Sequence, residues 1–222
     1  VLPALAKDRK LLVPPPDQIK MGEQIDPVEL SGQADIYASM FVHASALLKE
    51  GGRLGFVTSN SWLGAEYGRE LQKFFLRHFK IIAIVESRAE PWFETAQVNT
   101  IFTILERCES KEERENHLAK FVSVKKKLKD IIPWDMRLEA ADRWHNLDLI
   151  VQKIERAGNE FINIARDGKI IVSLPNLIND FEDENFRVRV AKQGELEEGI
   201  SRAFGAGHWG RFLRAPKIYF DL

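Results

Sequence analysis

Residues 46–63 read ALLKEGGRLGFVTSNSWL, and they place the end of a helix, a glycine turn and a short apolar strand in direct succession. Helical spacing of the apolar residues just upstream predicts a helix over 35–49, with Asp35 as its N-cap. Gly51-Gly52 ends this helix, and residues 54–58 are expected to form a buried strand. A helix followed by such a strand is half of a βαβ unit, so the pattern indicates an α/β fold. The stripe expected to face the core comprises Ile36, Met40, Phe41, Ala44, Leu47 and Leu48.

The same alternation continues downstream. A second amphipathic helix is predicted over 64–79, and the near-continuous apolar run at 80–86 is typical of a central parallel strand. No helix fits between that strand and the next one, at 98–105, so the two are expected to pair antiparallel. A further strand at 119–124 is expected at the sheet edge, and a helix at 140–156. The residues of the second helix expected to face the core are Leu71, Phe74, Phe75 and Phe79.

The composition narrows the classes of function. The 222 residues are 45% hydrophobic and 29% charged, with a net charge of −1, so any contact with nucleic acid must come from a local basic surface. Cys108 is the only cysteine, which excludes an internal disulfide and favours a reducing, cytoplasmic setting. The five histidines form no spaced ligand set, so no metal is expected. No apolar run reaches the roughly 18 residues of a membrane helix.

Several short motifs carry a resemblance to a known family. In order along the chain they are DIY at 35–37, the stretch quoted above, YG at 67–68, WFETAQVNT at 92–100 and WGRFLRAP at 209–216. Together they resemble the amino-methyltransferases of restriction-modification systems. The family is that of large adenine-specific DNA methylases, including fused restriction-methylation enzymes and phage-defence methylases. The resemblance is close over residues 35–107 and looser beyond them.

The resemblance implies a domain organisation. Residues 35–125 would be the second half of a Rossmann-like methyltransferase sheet, mostly parallel with an antiparallel last strand. Residues 126–222 would be a mixed connector that leads toward a missing target-recognition domain. Residues 1–34, which include Val13-Pro14-Pro15-Pro16, are expected to be an irregular linker or loop. Because the chain begins with Val1 rather than Met, it is expected to be a fragment.

The resemblance also implies where the chemistry lies. The family binds S-adenosylmethionine with a glycine-rich loop and polarises the target amine with an Asn-Pro-Pro-Tyr tetrapeptide, and this sequence contains neither. No catalytic residue is therefore expected in this chain, and the chain alone is expected to be inactive. Phe93 matches the aromatic that stacks on the flipped adenine, and Trp92 is its neighbour. Tyr37, Met40 and Phe41 match one wall of the cofactor pocket, although a structural or core position is the favoured interpretation of Tyr37 and Met40.

Polar and basic residues supply the remaining candidates. Asn60 and Ser61 follow a strand end, where they are either ligand contacts or helix caps. Phosphate contacts to DNA are expected from basic side chains, which are otherwise a solvated face or, for Arg211 and Arg214, a tie between the connector and the domain. These basic candidates are Lys125, Lys126, Lys127, Lys129, Arg202, Arg211, Arg214 and Lys217.

The resulting functional prediction is a fragment of a site-specific DNA methyltransferase that transfers a methyl group from S-adenosylmethionine to adenine N6. The expected partners are double-stranded DNA, the missing N-terminal half of the catalytic domain and the target-recognition domain. Self-association of the fragment is also expected to be possible, and no membrane contact is expected. Two alternatives stay open: a methylase of another amino group (cytosine N4 or a protein glutamine), and a non-catalytic DNA-binding or specificity fragment that pairs with a separate methylase subunit.

Overall fold

A mixed six-stranded sheet organises the part of the chain that the structure describes. The computed structural model describes residues 34–93, 99–132, 140–156, 165–166, 169–170, 179–196 and 209–214. The irregular segment predicted for 1–34 lies outside these ranges except for its last residue, and so do Arg202 and Lys217. The strands of the sheet are β1 (Arg53–Ser59), β2 (Phe79–Ser87), β3 (Thr100–Arg107), β4 (Leu118–Val124), β7 (Asn179–Glu182) and β8 (Phe186–Lys192).

The helices are short except for two. They are α1 (Ile36–Ser45), α2 (Glu66–His78), α3 (Lys111–Asn116), α4 (Leu128–Ile131), α5 (Ala140–Arg156) and α6 (Gly210–Arg214), with a 3₁₀ turn at Asn60–Leu63. Two-residue strands β5 (Ala165–Arg166) and β6 (Lys169–Ile170) pair with each other away from the main sheet. The helix predicted at 140–156 is confirmed. Among the described residues, no helix combines the length and the apolar character needed to cross a membrane.

Strand direction differs from the prediction. The strand order is β1-β3-β2-β4-β8-β7, and β3 is antiparallel to both of its neighbours. The expected antiparallel pairing of β2 with β3 is therefore confirmed, but the expectation of a mostly parallel sheet is wrong. Only β2 and β4 are parallel neighbours among the described strands, because β3 returns between β1 and β2 and because β8 and β7 add on in antiparallel fashion. β4, expected at the edge, lies inside the sheet.

One face of the sheet carries the larger core. Helices α1, α2 and α6 and the 3₁₀ turn pack there around a cluster of aromatic rings. The Phe75 ring lies 4.9 Å from that of Phe41 and 5.6 Å from that of Trp62, both in edge-on geometry, and Trp62 continues the cluster to Trp209 at 5.9 Å. Edge-on aromatic pairs add attraction beyond the area that they bury. The predicted inward residues of the second helix are confirmed for Leu71, Phe74 and Phe75, which are fully buried in α2. Phe79 is also fully buried, but it begins β2 and does not belong to the helix.

The predicted face of α1 is right for Phe41 and Leu48, which lie in or against the larger core, and wrong for three other residues. The structure buries Ala38, Phe41, Val42 and Ser45, whereas Ile36, Met40 and Leu47 are 69%, 49% and 81% exposed. The helix is apolar on nearly every side, so the spacing of its apolar residues does not select one face. Leu47 also lies beyond the end of the helix at Ser45, so helical spacing does not apply to it.

The opposite face of the sheet has a smaller core under α5. Ile150 and Ile154 of α5 pack against a cluster of buried β-branched and aromatic residues from β4 and β8. At the β1 end of this face the apolar side chains are more open. Val57 is 45% exposed, and its cross-strand partner Phe102 is half-buried. The members of the smaller core are Val122, Val124, Phe186, Val188 and Val190.

Burial of His78 predicts a loss of stability in mild acid. Burial, with smaller contributions from Arg107, Arg114 and Arg77, lowers the pKa of His78 to about 3. The imidazole of an unfolded chain has a pKa of about 6.5. Between about pH 3 and pH 6.5, therefore, His78 binds a proton in the unfolded chain but not in the folded one. Stability is therefore full above about pH 6.5 and falls as the pH drops, by about 1.4 kcal/mol per unit.

Through His78, the free energy of unfolding is expected to be about 2 kcal/mol lower at pH 5 than at pH 7. Urea unfolding at the two pH values measures it. The variant His78→Gln should show a weaker pH dependence, retaining the part due to His117, whose pKa burial also lowers. Identical pH dependence in the wild type and the variant would contradict this assignment.

Candidate functional site

The carboxyl ends of three strands converge at one edge of the sheet. Strands β1, β2 and β4 run in the same direction, because β1 and β2 are both antiparallel to β3 and β2 is parallel to β4. In open α/β sheets ligands bind at this kind of edge. We call it the carboxyl edge and define it by Asn60 after β1, Glu86, Arg88 and Phe93 at and after the end of β2, and Lys125 after β4.

A buried carboxylate joins the ends of β1 and β2 to α6. The Glu86 side chain is only 6% exposed, and its Oε1 accepts a hydrogen bond from Asn60 Nδ2 at 2.8 Å. Arg214 donates to both carboxylate oxygens, from Nη2 to Oε1 at 2.6 Å and from Nε to Oε2 at 3.1 Å. Two-point pairing of this kind is among the stronger polar contacts in proteins. Asn60 is thus engaged in holding the edge together.

Two arginines and a serine bind the carbonyl groups of α6. Arg189, which is fully buried, donates from Nη1 to the carbonyl oxygens of Arg211 at 3.0 Å and Phe212 at 3.2 Å. Arg187 Nη2 and Ser123 Oγ both donate to the carbonyl oxygen of Leu213. The last carbonyls of a helix lack partners within the helix, so these donors fix α6 to the sheet. Residues 209–214 of the segment predicted as a connector are therefore packed into the core.

The structure places the predicted DNA-backbone residues in several different settings. Arg214 is bound to Glu86, which favours the alternative that it ties this segment to the domain. The Arg211 guanidinium lies 5.0 Å from the ring centroid of its neighbour Phe212, a contact within α6. Lys125 pairs with Glu182 at 2.8 Å, and Lys126 pairs with Glu184 at 3.0 Å. The two other lysines of the cluster, Lys127 and Lys129, are exposed.

The pair Arg214 and Glu86 should be energetically coupled. A double-mutant cycle of Arg214→Ala and Glu86→Gln, measured by urea unfolding, is expected to give a coupling free energy of roughly 1–2 kcal/mol. The matched control is Arg53 with Glu106, a 2.9 Å pair in which the arginine is 66% exposed. That exposed pair should give less than about 1 kcal/mol. Equal coupling free energies in the two cycles would show that Arg214 and Glu86 interact no more strongly than an exposed ion pair.

The three residues predicted to form the cofactor wall lie in three different environments. Phe41 is fully buried between Phe56, at 4.8 Å, and Phe75, so it has no surface from which to contact a ligand, and its assignment to the cofactor wall is corrected to the core. Met40 points the other way and is 49% exposed. The Tyr37 hydroxyl bonds to that of Tyr67, which donates to Asp35 Oδ2 at 2.9 Å. Burial and the bond with Tyr67 raise the pKa of Tyr37, so its hydroxyl stays protonated.

Phe93 presents an apolar ring to solvent. It lies in the loop that leaves β2 and is 51% exposed, whereas the neighbouring Trp92 is half-buried. A large exposed aromatic is informative because most rings of this size are covered in a folded domain. Of the two aromatics predicted to stack on a base, Phe93 has the more accessible surface. Among the residues with described positions, no group of three or more His, Cys, Asp or Glu side chains is arranged to hold a metal ion.

Comparison with known proteins shows a likeness for the part of the chain that contains β1 and β2. Residues 20–93 match the family model described as Eco57I restriction-modification methylase. The type II methyltransferase M.BanIII of Aneurinibacillus aneurinilyticus is 32% identical over 73 residues, which are 33% of this chain and 13% of that protein. The predicted resemblance to restriction-modification methylases is therefore confirmed over this segment.

Solved structures extend the likeness to the fold of most of the chain. The type IIG restriction endonuclease BpuSI matches 94% of this chain and 19% of its own, with a TM-score of 0.51 and 15% identity. At that identity the match shows the fold alone. A methyltransferase subunit of the type I restriction-modification system from Streptococcus thermophilus covers 86% of this chain and 32% of its own at 14% identity, and its TM-score of 0.44 is too low to support an argument. This chain spans 13% of the length of M.BanIII and 19% of that of BpuSI.

Sequence reasoning missed the polar residues that assemble the carboxyl edge. Glu86 ends an otherwise apolar strand, and a charge in that position was the available signal. Arg187 and Arg189 alternate with Phe186, Val188 and Val190 in β8, which is the period-two pattern of a strand with two different faces. The alternation would have placed both arginines on one face. It would not have shown that this face is covered by α6, because that contact joins distant parts of the chain.

Proposed function

We propose that the gene product carrying this chain transfers a methyl group from S-adenosylmethionine to N6 of adenine in duplex DNA, as part of a restriction-modification system. The observation that carries the proposal is the exposure of Phe93. It is the last residue of the segment that matches the methylase family, and its exposed ring lies in the loop leaving β2. The DNA substrate, the use of S-adenosylmethionine and the choice of adenine as the target base are all parts of this proposal.

The chemistry explains why an exposed ring is needed. The exocyclic amine of adenine is held in a base pair, so an enzyme that modifies it must extrude the base from the duplex. An extruded base loses its stacking partners, and an aromatic side chain that offers its face replaces part of that stacking. In the proposal Phe93 stacks on the adenine, and Trp92 supports the loop. In the proposal, the amine donates hydrogen bonds to the family's Asn-Pro-Pro-Tyr tetrapeptide, which this sequence does not contain.

This chain contributes part of the cofactor pocket. The exposed thioether of Met40 and the Tyr37 side chain next to it fit an apolar wall for an aromatic ring, since methionine packs well on such rings. The bound cofactor supplies the electrophilic methyl group. Because the sequence contains no glycine-rich loop after a strand, the 222-residue chain by itself is expected to bind S-adenosylmethionine weakly. Tight binding in calorimetry would contradict this division of roles.

The proposed partner surface is the β1 end of the sheet. β1 is the outermost strand of the sheet, and the face beside it carries half-exposed Val57 above half-buried Phe102 and Ile104. Strand edges and open apolar faces are costly in water and favour a partner. In the proposal the remaining half of the catalytic domain covers this end, and self-association of the chain is the competing arrangement.

Methyl transfer tests the proposal directly. The gene product is incubated with S-adenosylmethionine labelled in its methyl group and with unmethylated duplex DNA, and label in the DNA is counted. We expect label in DNA and none in protein. Label in protein alone would support a protein glutamine methylase instead. DNA binding without any transfer would support the non-catalytic specificity fragment.

A further inference from the structure

A basic cavity lies at the carboxyl edge, and neither Phe93 nor the residues assigned to the cofactor line it. It has a volume of about 240 Å³ and is lined by Arg88, Ser123, Lys125, Glu182 and Arg187. These residues come from the end of β2, from β4 and the residue after it, and from the paired strands β7 and β8. The cavity thus lies where two separate parts of the chain meet, and of its lining only Lys125 was predicted as a functional residue.

The charges that line the cavity are unbalanced. Three cationic side chains face one carboxylate and one hydroxyl, which leaves an excess of two positive charges. Arg187 is held by its bond to the carbonyl oxygen of Leu213, and Ser123 bonds to the same oxygen at 2.6 Å. The backbone N–H of Arg88 donates to the carbonyl oxygen of Val124 at 2.9 Å, which fixes the base of that side chain. A rigid concentration of positive charge in a cavity attracts anions.

The one carboxylate in the cavity is bound to one of the cations. Lys125 Nζ lies 2.8 Å from Glu182 Oε1 and donates also to the carbonyl oxygen of Asp183 at 2.6 Å. The hydrogen bond from Lys125 holds the pKa of Glu182 below its ordinary value, so the carboxylate is charged at neutral pH. Glu182 is 53% exposed, and an exposed ion pair is worth little in stability, so an incoming anion can replace this carboxylate at small cost.

We propose that this cavity binds a phosphate group, which takes the place of the Glu182 carboxylate on Lys125 and is held by Arg88 and Arg187. Arginine and lysine donors suit the oxygens of a phosphate, and arginine adds two-point geometry. The source of the phosphate is either the backbone of a DNA strand that passes the carboxyl edge or free inorganic phosphate. Assignment to the DNA backbone rests on the proposed function, whereas the phosphate chemistry of the cavity does not.

The first arm of the test uses DNA. Binding of a fluorescent duplex to the 222-residue chain is measured by anisotropy at several salt concentrations. Arg88→Ala should weaken binding about three- to tenfold and reduce the salt dependence by about one counterion. The matched control Arg53→Ala removes an exposed arginine at the opposite end of a strand and should have little effect. Glu182→Gln should strengthen binding, because it removes the competing negative charge.

The second arm uses sodium phosphate, compared with sodium chloride at equal ionic strength and followed by calorimetry. If the variant pattern is seen with DNA and phosphate binds only weakly, the phosphate is that of the backbone. If the pattern is seen with inorganic phosphate but not with DNA, the cavity is a site for free phosphate. If Arg88→Ala and Arg53→Ala behave alike with both ligands, or Glu182→Gln does not strengthen either, the proposal is overturned.

This test is separate from that of the proposed function. Failure of methyl transfer by the gene product would leave the phosphate results standing, and failure of the phosphate arms would leave methyl transfer untouched. Thermal unfolding of each variant confirms that it is folded before binding is measured.

Discussion

Phe93→Ala is expected to lower methyl transfer to DNA by roughly 5- to 150-fold, because stacking of a base on an aromatic side chain contributes about 1–3 kcal/mol. The substitution should leave the free energy of unfolding nearly unchanged, since 51% of Phe93 is already exposed. Initial rates with labelled S-adenosylmethionine and duplex DNA, measured on the gene product, provide the activity. Urea unfolding of the same preparations provides the stability.

Two further variants separate stacking from a general loss of apolar surface. Phe93→Tyr keeps the ring face and should retain most of the activity. Trp144→Ala removes another exposed aromatic, 68% exposed on α5, and should leave the rate unchanged. If Phe93→Tyr is as slow as Phe93→Ala, or if Trp144→Ala is as slow, Phe93 does not stack on the target base.

Gly68→Ala is expected to destabilise the fold by about 3 kcal/mol or more, because it forces a side chain into occupied space. A Cβ atom at Gly68 would lie 1.7 Å from the carbonyl oxygen of Trp62 and 2.5 Å from its carbonyl carbon. Those are backbone atoms, so relief requires that the 3₁₀ turn move away from α2. Trp62 is fully buried against Phe75 and Trp209, and moving it disrupts the larger core.

The nearby Gly64 supplies a matched control. A Cβ atom there would meet nothing within 4 Å, and the backbone φ of −128° is open to any residue. Gly64→Ala should therefore change the free energy of unfolding by less than about 1 kcal/mol. In thermal unfolding, Gly68→Ala should lower Tm by about 6–12 °C relative to Gly64→Ala. Similar Tm values for the two variants would contradict the close approach of α2 to the 3₁₀ turn.

The secondary structure of the core was predictable because its signals are local. The turn at Gly51-Gly52, the apolar run of β2 and the inward face of α2 follow from spacing and residue type, and the structure confirms them. The absence of a helix between β2 and β3 correctly predicted their antiparallel pairing. Strand order was not predictable in the same way. Nothing local to β3 indicates that it inserts between β1 and β2, or that β4 lies inside the sheet.

The candidate site was predictable only in part. The exposed aromatic Phe93 and the strand end at Asn60 were found from the motifs. The contacts of Asn60 and Arg214 with Glu86 were not, because they join residues far apart in the sequence. In helix α1, the spacing of apolar residues was not enough to predict which of them are buried. Its apolar residues surround the axis, so packing and not spacing decides that Phe41 is buried while Met40 is exposed. The basic cavity likewise depends on the pairing of β8 with β4 and of β7 with β8, for which the sequence has no local signal.

Identification of the modified base tests most directly whether the gene product methylates adenine N6 with the help of Phe93. DNA methylated by the gene product is digested to nucleosides, and these are analysed by mass spectrometry against DNA incubated with the Phe93→Ala variant. We expect N6-methyladenine in the DNA treated with the wild type and a much lower level of it in the DNA treated with the variant. A product of N4-methylcytosine, or equal N6-methyladenine from the wild type and the variant, would contradict it.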